Sequence, residues 1–328
     1  MLEKGVVARI LVTGGAGFIG SHICDKLIYL GHEVVCYDNL MTGFESNIEH
    51  LLKNEKFTFI EGDIRDCENL RIAINGCTHV SHQAALGSVP RSIENPIRTN
   101  EINIQGSLNV LVEAKNISIK RVVFASSSSV YGDNMDMPKV ESNTGNVLSP
   151  YAVTKLTIEE YARVFAHVYQ METIGLRYFN VFGPRQSPQG AYAAVIPVFI
   201  DNILNDKIST INGDGGQTRD FSYIDNVVKA NILSLFEDSE DAYGEVYNVA
   251  CGETLSINNL YDMIQDKILE IIGEKSRIEA KNGPDRAGDI RDSLANLTKI
   301  KKDLGYEPEI FAEEGMLKTC KWHISNRS

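Results

Sequence analysis

The run Ile10-Leu11-Val12-Thr13-Gly14-Gly15-Ala16-Gly17-Phe18-Ile19-Gly20 constrains this chain more than any other stretch. An apolar segment suited to a buried parallel strand meets glycines at Gly14, Gly17 and Gly20, and an amphipathic segment, Ser21 to Leu30, follows at once. Glycines at this spacing permit a tight turn, close approach of the backbone to a pyrophosphate, and close packing of helix on strand. The amides at the start of such a helix face the phosphates, where the helix dipole favours negative charge. The next apolar run, Glu33-Val34-Val35-Cys36-Tyr37, ends in Asp38. That is about 20 residues beyond the glycines, where a carboxylate takes the adenosine ribose hydroxyls. No Arg or Lys stands in Asp38-Asn39-Leu40-Met41, so a ribose 2′-phosphate would meet the carboxylate unaided. The pattern predicts a dinucleotide loop for NAD rather than NADP.

Around that loop, the first half of the chain alternates strand-like and helix-like segments. Phe57-Thr58-Phe59-Ile60 is followed by Glu61-Gly62-Asp63-Ile64, then by His79-Val80-Ser81-His82, a helix near Glu101 to Lys115, and Arg121-Val122-Val123-Phe124. Helical spacing resumes after Pro150, and Thr173-Ile174-Gly175-Leu176-Arg177 reads as a further strand. Such alternation predicts an α/β fold, a doubly wound parallel sheet of the Rossmann kind covered on both faces. Ligands in such sheets sit at the carboxyl ends of the strands, near the topological switch point.

From Asn180 the loops lengthen, with Gly183-Pro184-Arg185 and Ile211 to Gly216 as turn signals. Ala193 to Leu204 and Leu260 to Ile272 have helical periodicity, and Tyr247-Asn248-Val249-Ala250 is a short strand able to rejoin the sheet. We therefore expect residues 1–180 to form a nucleotide domain, rejoined by about 220–250. Residues 181–328 would mainly form a second, smaller and discontinuous α/β substrate lobe. The acidic stretch Glu237 to Asp241 reads as a solvated loop.

At 328 residues the chain is long enough to bury roughly three quarters of its unfolded surface. Its 43% hydrophobic and 23% charged composition is that of a soluble globular protein. A net charge of −12 argues against nucleic-acid or anionic-membrane partners, but leaves open an anionic small substrate, which local arginines decide. Six cysteines without a Cys-x-x-Cys pair predict buried free thiols in a reducing compartment, and no metal site is expected. Met1-Leu2-Glu3-Lys4-Gly5 leads straight into the first strand, with no signal peptide and no apolar run of membrane-spanning length. A cytoplasmic protein is expected.

The chemistry lies in Ala125 to Gly132, with its serines at 126–129, and in Ser149-Pro150-Tyr151-Ala152-Val153-Thr154-Lys155. Tyr and Lys four apart share a helix face. A phenol with a pKa of about 10 is a poor base at neutral pH. A neighbouring ammonium, helped by the positive nicotinamide ring of NAD, favours the phenolate, which can then accept a proton from a substrate hydroxyl. A serine at the end of the adjacent strand can hydrogen-bond that hydroxyl and hold it in line.

With these segments in this order, the chain resembles an extended short-chain dehydrogenase/reductase, in particular a nucleotide-sugar 4-epimerase. The likeness runs from Ala8 to the C-terminal helix and includes Gln83-Ala84-Ala85, Arg177 to Pro184 and Gly288-Asp289. Through Gly190-Ala191-Tyr192-Ala193-Ala194-Val195-Ile196-Pro197 it is most similar to the UDP-N-acetylglucosamine 4-epimerases of bacterial polysaccharide pathways. The resemblance implies an isomerase that works by reversible hydride transfer with tightly bound NAD. Tyr151 would take the proton from the sugar 4-hydroxyl, with Ser127 nearest that hydroxyl and Lys155 on the nicotinamide ribose. It further implies cofactor contacts from Gly14, Gly17, Phe18, Ile19, Gly20, Asp38, Asn39, Asp63, Ile64, Ala84, Asn100 and Tyr178. Substrate contacts would come from Ser88, Ser128, Ser129, Asn180, Ala194, Val195, Asn212 and Asp289, and diphosphate clamps from Arg219 and Arg286.

Ser293 stands where related epimerases can carry a bulky tyrosine. A serine there leaves room for an N-acetyl group, so UDP-GlcNAc and UDP-GalNAc are the expected substrates. A UDP-uronic acid or UDP-glucose and UDP-galactose are alternatives. A 4,6-dehydratase is disfavoured because Ser128-Ser129 stand where that family has Asp-Glu. A non-enzymatic relative that only binds NAD is disfavoured because Tyr151 and Lys155 are both present. The resemblance also implies a homodimer, through helices near Glu101–Lys115 and Leu156–Val168.

Overall fold

The structure, a computed structural model, describes residues 7–189, 193–273, 276–284 and 290–327. Its frame is a seven-stranded sheet in which every neighbouring pair is parallel. In chain order the strands are β1 (Arg9–Thr13), β2 (Glu33–Asp38), β3 (Phe57–Glu61), β4 (His79–His82), β5 (Arg121–Ser127), β6 (Glu172–Tyr178) and β7 (Glu245–Val249). Their spatial order is β7-β6-β5-β4-β1-β2-β3, so the winding reverses between β1 and β4. The carboxyl ends of those two strands flank the crevice where open sheets of this kind take ligands.

The strands are apolar on both faces because both faces are covered. Along β1, Leu11 packs into one core cluster with Leu70, Val110 and Ile158, whereas Ile10 and Val12 pack into the other with Ile23, Leu27 and Val227. The first face is therefore covered by α2 (Cys67–Ile74), α3 (Ser107–Asn116) and α4 (Pro150–Tyr169), and α1 (Phe18–Tyr29) lies on the second. Beside α1 on that second face lies α6 (Ile224–Phe236), while α5 (Val195–Leu204), α7 (Ile257–Ile272) and α8 (Ala312–Ser325) pack against one another. α6 packs on α1, while α7 packs on α5 and α8.

Local chemistry sets the helix ends. The Asp66 carboxylate accepts from the amides of Glu68 and Asn69, and Ser149 Oγ accepts from Ala152 N at 3.2 Å with Pro150 in the first turn. α4 stops at Gln170, which takes a left-handed φ of 55°.

Two features differ from the sequence expectation. α1 begins at Phe18 rather than Ser21, since Gly17 is already its N-cap. The helix expected over 101–115 opens with a π turn, Glu101–Gly106, before α3. Within the acidic stretch 237–241, Asp238 pairs with Lys120 and Arg121, each at 3.5 Å. Five of the six free cysteines are buried.

Ile264, on the buried face of α7, is fully shielded from solvent, whereas Ile272 at the end of the same helix is 41% exposed. Ile264→Ala should destabilise the protein by about 3 kcal/mol and Ile272→Ala by under about 1 kcal/mol. Guanidinium titration of both variants checks the difference.

Candidate active site

The glycine loop leaves β1 at Thr13. Gly14 takes φ +67°, and a Cβ there would lie 2.7 Å from Ala84 N on the neighbouring strand end. A Cβ on Gly20 would meet Gly14 O at 2.1 Å, but one on Gly17 would meet only that oxygen, at 3.1 Å. Gly14 and Gly20 are thus required by backbone packing, and Gly17 by what approaches the loop from outside. α1 has no side-chain cap and no acidic residue in its first turn. Its N-terminal amides are therefore open to an anion, so the loop fits a dinucleotide pyrophosphate.

A cavity of about 550 Å³ runs from this loop. Gly14, Gly17, Phe18, Ile19 and Gly20 line it, followed by Asp38, Asn39, Asp63 and Ile64, then Ala84, and finally Tyr151, Lys155 and Tyr178. The Asp38 carboxylate accepts from Ala16 N at 3.0 Å and Leu40 N at 2.8 Å. Burial raises its pKa, and those amides oppose the rise. Arg65 grips Asp63 through two hydrogen bonds of 2.9 and 2.8 Å, which holds that carboxyl down at about 2. Asn39 Nδ2 donates to the same carboxylate at 2.8 Å.

Asn100 is the exception among these residues. It is exposed and does not line the cavity. The short helix that it closes turns Thr99 inward, and the π turn that follows brings Ile102 into the cavity wall and Asn103 into the interior. Asn103 accepts from Leu86 N at 2.7 Å and donates to Thr154 Oγ1 at 3.1 Å, so it fastens the loop after β4 to α4.

A second cavity, of about 440 Å³, opens on the substrate side. Ser88, Ser127, Ser128, Ser129, Asn180, Ala194, Val195, Asn212, Arg219 and Ser293 all line it. Arg286 and Asp289 lie outside the described residues, as do Gly190, Ala191 and Tyr192. The two cavities share four lining residues: Tyr151, Gln186, Ala193 and Ala194. The phenol of Tyr151 therefore stands in the wall between them.

Burial raises the Tyr151 pKa, and a hydrogen bond with Ser127 partly offsets this. The sequence reading expected the lysine to favour the phenolate. In the protein alone the offset comes from Ser127 rather than from the lysine, and desolvation prevails. Lys155 Nζ instead donates to Ala125 O at 2.8 Å and lies 5.8 Å from the tyrosine ring centre. Burial lowers the Lys155 pKa to about 8 against the pull of Glu159.

Two residues that sequence reasoning did not assign to the site belong to its walls. Gln83 lines the first cavity and accepts from Tyr178 Oη at 2.9 Å, fixing that ring. Gln186 donates to Val181 O at 3.1 Å while its carbonyl oxygen is buried with no partner among the described residues, as is Ser129 Oγ. Gln186 lies on an aperiodic loop, where no spacing signals an inward side chain.

The sequence pattern of the NAD dependent epimerase/dehydratase family matches residues 10–250. The chain belongs to that family. It is 40% identical over 319 residues to a putative UDP-glucose 4-epimerase of Methanocaldococcus jannaschii, covering 97% of this chain and 99% of the relative. Among solved structures, it is similar to a UDP-N-acetylglucosamine 4-epimerase from Methanobrevibacter ruminantium M1 in complex with UDP-N-acetylmuramic acid. The TM-score is 0.88 and the identity 42%, over 98% of this chain and 99% of the other. It is also similar to the UDP-glucuronic acid 4-epimerase of Bacillus cereus in complex with UDP-glucuronic acid and NAD, with a TM-score of 0.87 and 31% identity over 97% and 99%. This protein is thus an NAD-dependent enzyme of the isomerase kind. Among the described residues, no helix is long and apolar enough to cross a membrane, and no metal-ligand cluster occurs.

The glycine geometry separates two effects in this epimerase. Gly20→Ala should lower the thermal midpoint by several degrees through overpacking of the loop. Gly17→Ala should leave the midpoint of the NAD-free protein nearly unchanged while weakening NAD binding about tenfold or more. Calorimetry of the stripped proteins, with and without NAD, checks both.

Proposed function

We propose that this epimerase interconverts UDP-N-acetylglucosamine and UDP-N-acetylgalactosamine through a transient 4-keto sugar. The observation that carries the reading is that Tyr151 lines both cavities, with Ser127 beside it. Tyr151, held as its phenolate by the positive nicotinamide ring when NAD is bound, would then accept the proton of the 4-hydroxyl while Ser127 hydrogen-bonds the same oxygen and holds it in line. Bound NAD would supply the acceptor, and then the donor, of the C4 hydride. Lys155 holds the nicotinamide ribose, and Asp38 takes the adenosine ribose hydroxyls. Asp63, Ile64 and Ala84 line the adenine side, and Tyr178 stands by the nicotinamide.

The lining of the second cavity supports a neutral sugar. Arg219 is the one charged side chain among the described residues that line it, which suits a diphosphate gripped by a guanidinium. The remaining polar lining groups are hydroxyls and amides, among them Ser88, Ser127, Ser128, Ser129, Gln186 and Ser293. A uronate would bring its carboxylate to a wall with no other cation among the described residues, at a desolvation cost. Asn180 would serve the diphosphate or sugar, and Ala194, Val195 and Asn212 the uracil side. Arg286 and Asp289 are proposed as a second diphosphate clamp and a uridine ribose partner. Ser293, buried and small, leaves room for the acetamido group.

A homodimer is proposed through the helices near Glu101–Lys115 and Leu156–Val168, the second of which carries the exposed apolar residues Val164 and Val168. Val164→Glu should then convert the protein to a monomer in sedimentation velocity.

A substrate panel tests the activity. Purified enzyme should bring UDP-N-acetylglucosamine to equilibrium with UDP-N-acetylgalactosamine, faster than it turns over UDP-glucose or UDP-glucuronate. Tyr151→Phe should retain NAD and lose turnover by about a hundredfold or more. A stable 4-keto-6-deoxy product, or preferred turnover of UDP-glucuronate, would refute the assignment.

A further inference from the structure

We propose that Glu159, acting through Arg177 and Ser126, is a positioning residue that sets both the seating and the charge of the Tyr151–Lys155 pair. The proposal rests on the catalytic reading of that pair. Tyr151, Lys155 and Glu159 follow one another at intervals of four along α4, so they form one stripe on the helix. Glu159 is buried one turn beyond the lysine. Its Oε1 accepts from Ser126 Oγ and, at 2.9 Å, from Arg177 Nε, and its Oε2 accepts from the same guanidinium at 2.8 Å.

The two partners are adjacent in sequence to groups in the cavity walls. Ser126 precedes Ser127 at the end of β5, and Arg177 precedes Tyr178 at the end of β6. One carboxylate therefore ties the helix that bears the phenol and the ammonium to both strands that face them. Arg177 is held in turn by Glu141 O at 2.9 Å and lies 5.0 Å from the Tyr131 ring centre. Glu141 Oε1 accepts from Asn248 N on β7 at 2.9 Å. The chain of contacts thus crosses β5, β6 and β7 behind the site.

The charge argument is independent of the tether. Tyr151 and Glu159 accompany Lys155 on α4, His82 is coupled to it from β4, and Arg177 lies behind Glu159 on β6. Burial pushes His82 to about 3, so it is neutral, and Glu141 and Tyr131 act on Arg177 rather than on the lysine. Glu159 is the anion that opposes desolvation at Lys155. An ion pair this deeply buried is a weak source of net stability, and replacing both members costs far less than leaving one unpaired. Its place behind the phenol and ammonium suits it instead to tune their ionisation.

The test compares Glu159→Gln and the neutral pair Glu159→Gln/Arg177→Gln with Ser126→Ala and Tyr151→Phe, each as the NAD-loaded enzyme. The neutral pair leaves no unpaired buried charge, so it serves where the single variant does not fold. Loss of the carboxylate should move the alkaline limb of the kcat–pH profile down by about one pH unit, because Lys155 loses its proton earlier. It should also lower kcat about tenfold at neutral pH with KM for the UDP-sugar within about twofold. Ser126→Ala, which keeps the charge, should leave the limb in place. An unmoved limb in both carboxylate-free variants overturns the proposal. An active Tyr151→Phe would instead overturn the catalytic reading beneath it.

Discussion

One helix turn laid across the carboxyl ends of two parallel strands governs the rest of this structure. Tyr151 lines both the cavity that starts at the glycine loop and the second cavity beside it. A parallel sheet provides such a place because its loops all leave at the same edge, beside the switch point. The near contact of Gly14 with Ala84 keeps β1 and β4 close there. The cap at Ser149 then starts α4 at the height where its first turn reaches both cavities.

The same dryness that gives the site its reach sets its electrostatic problem. Burial discourages the phenolate and the ammonium together, pushing Tyr151 up and Lys155 down to about 8. Charges in such surroundings act more strongly on one another than they would in water. A positive cofactor ring beside Tyr151 and a carboxylate one turn behind Lys155 are then the natural counterweights.

The sequence made the sheet readable because strand-like and helix-like segments alternate, and because β1 gives way to Gly14 while β2 and β3 end at Asp38 and Glu61. Tyr151 and Lys155 were legible because their spacing matches a helix turn. Asn100 was not, since the turn Glu101–Gly106 is wider than an α turn and shifts which residues face inward. Gln83 and Gln186 escaped because loops lack a period. The link from Glu159 to Arg177 depends on β6 pairing with β5, a contact between residues that no local spacing connects.

Running the UDP-N-acetylglucosamine reaction to equilibrium in heavy water tests the central claim most directly, with the C4 hydrogen of the product followed by mass spectrometry and proton NMR. If the hydrogen leaves to the enclosed cofactor and returns, UDP-N-acetylgalactosamine will form with its original hydrogen at C4. Deuterium at C4 of the product would mean that the carbon exchanged its hydrogen with solvent, contradicting hydride transfer across the Tyr151 wall.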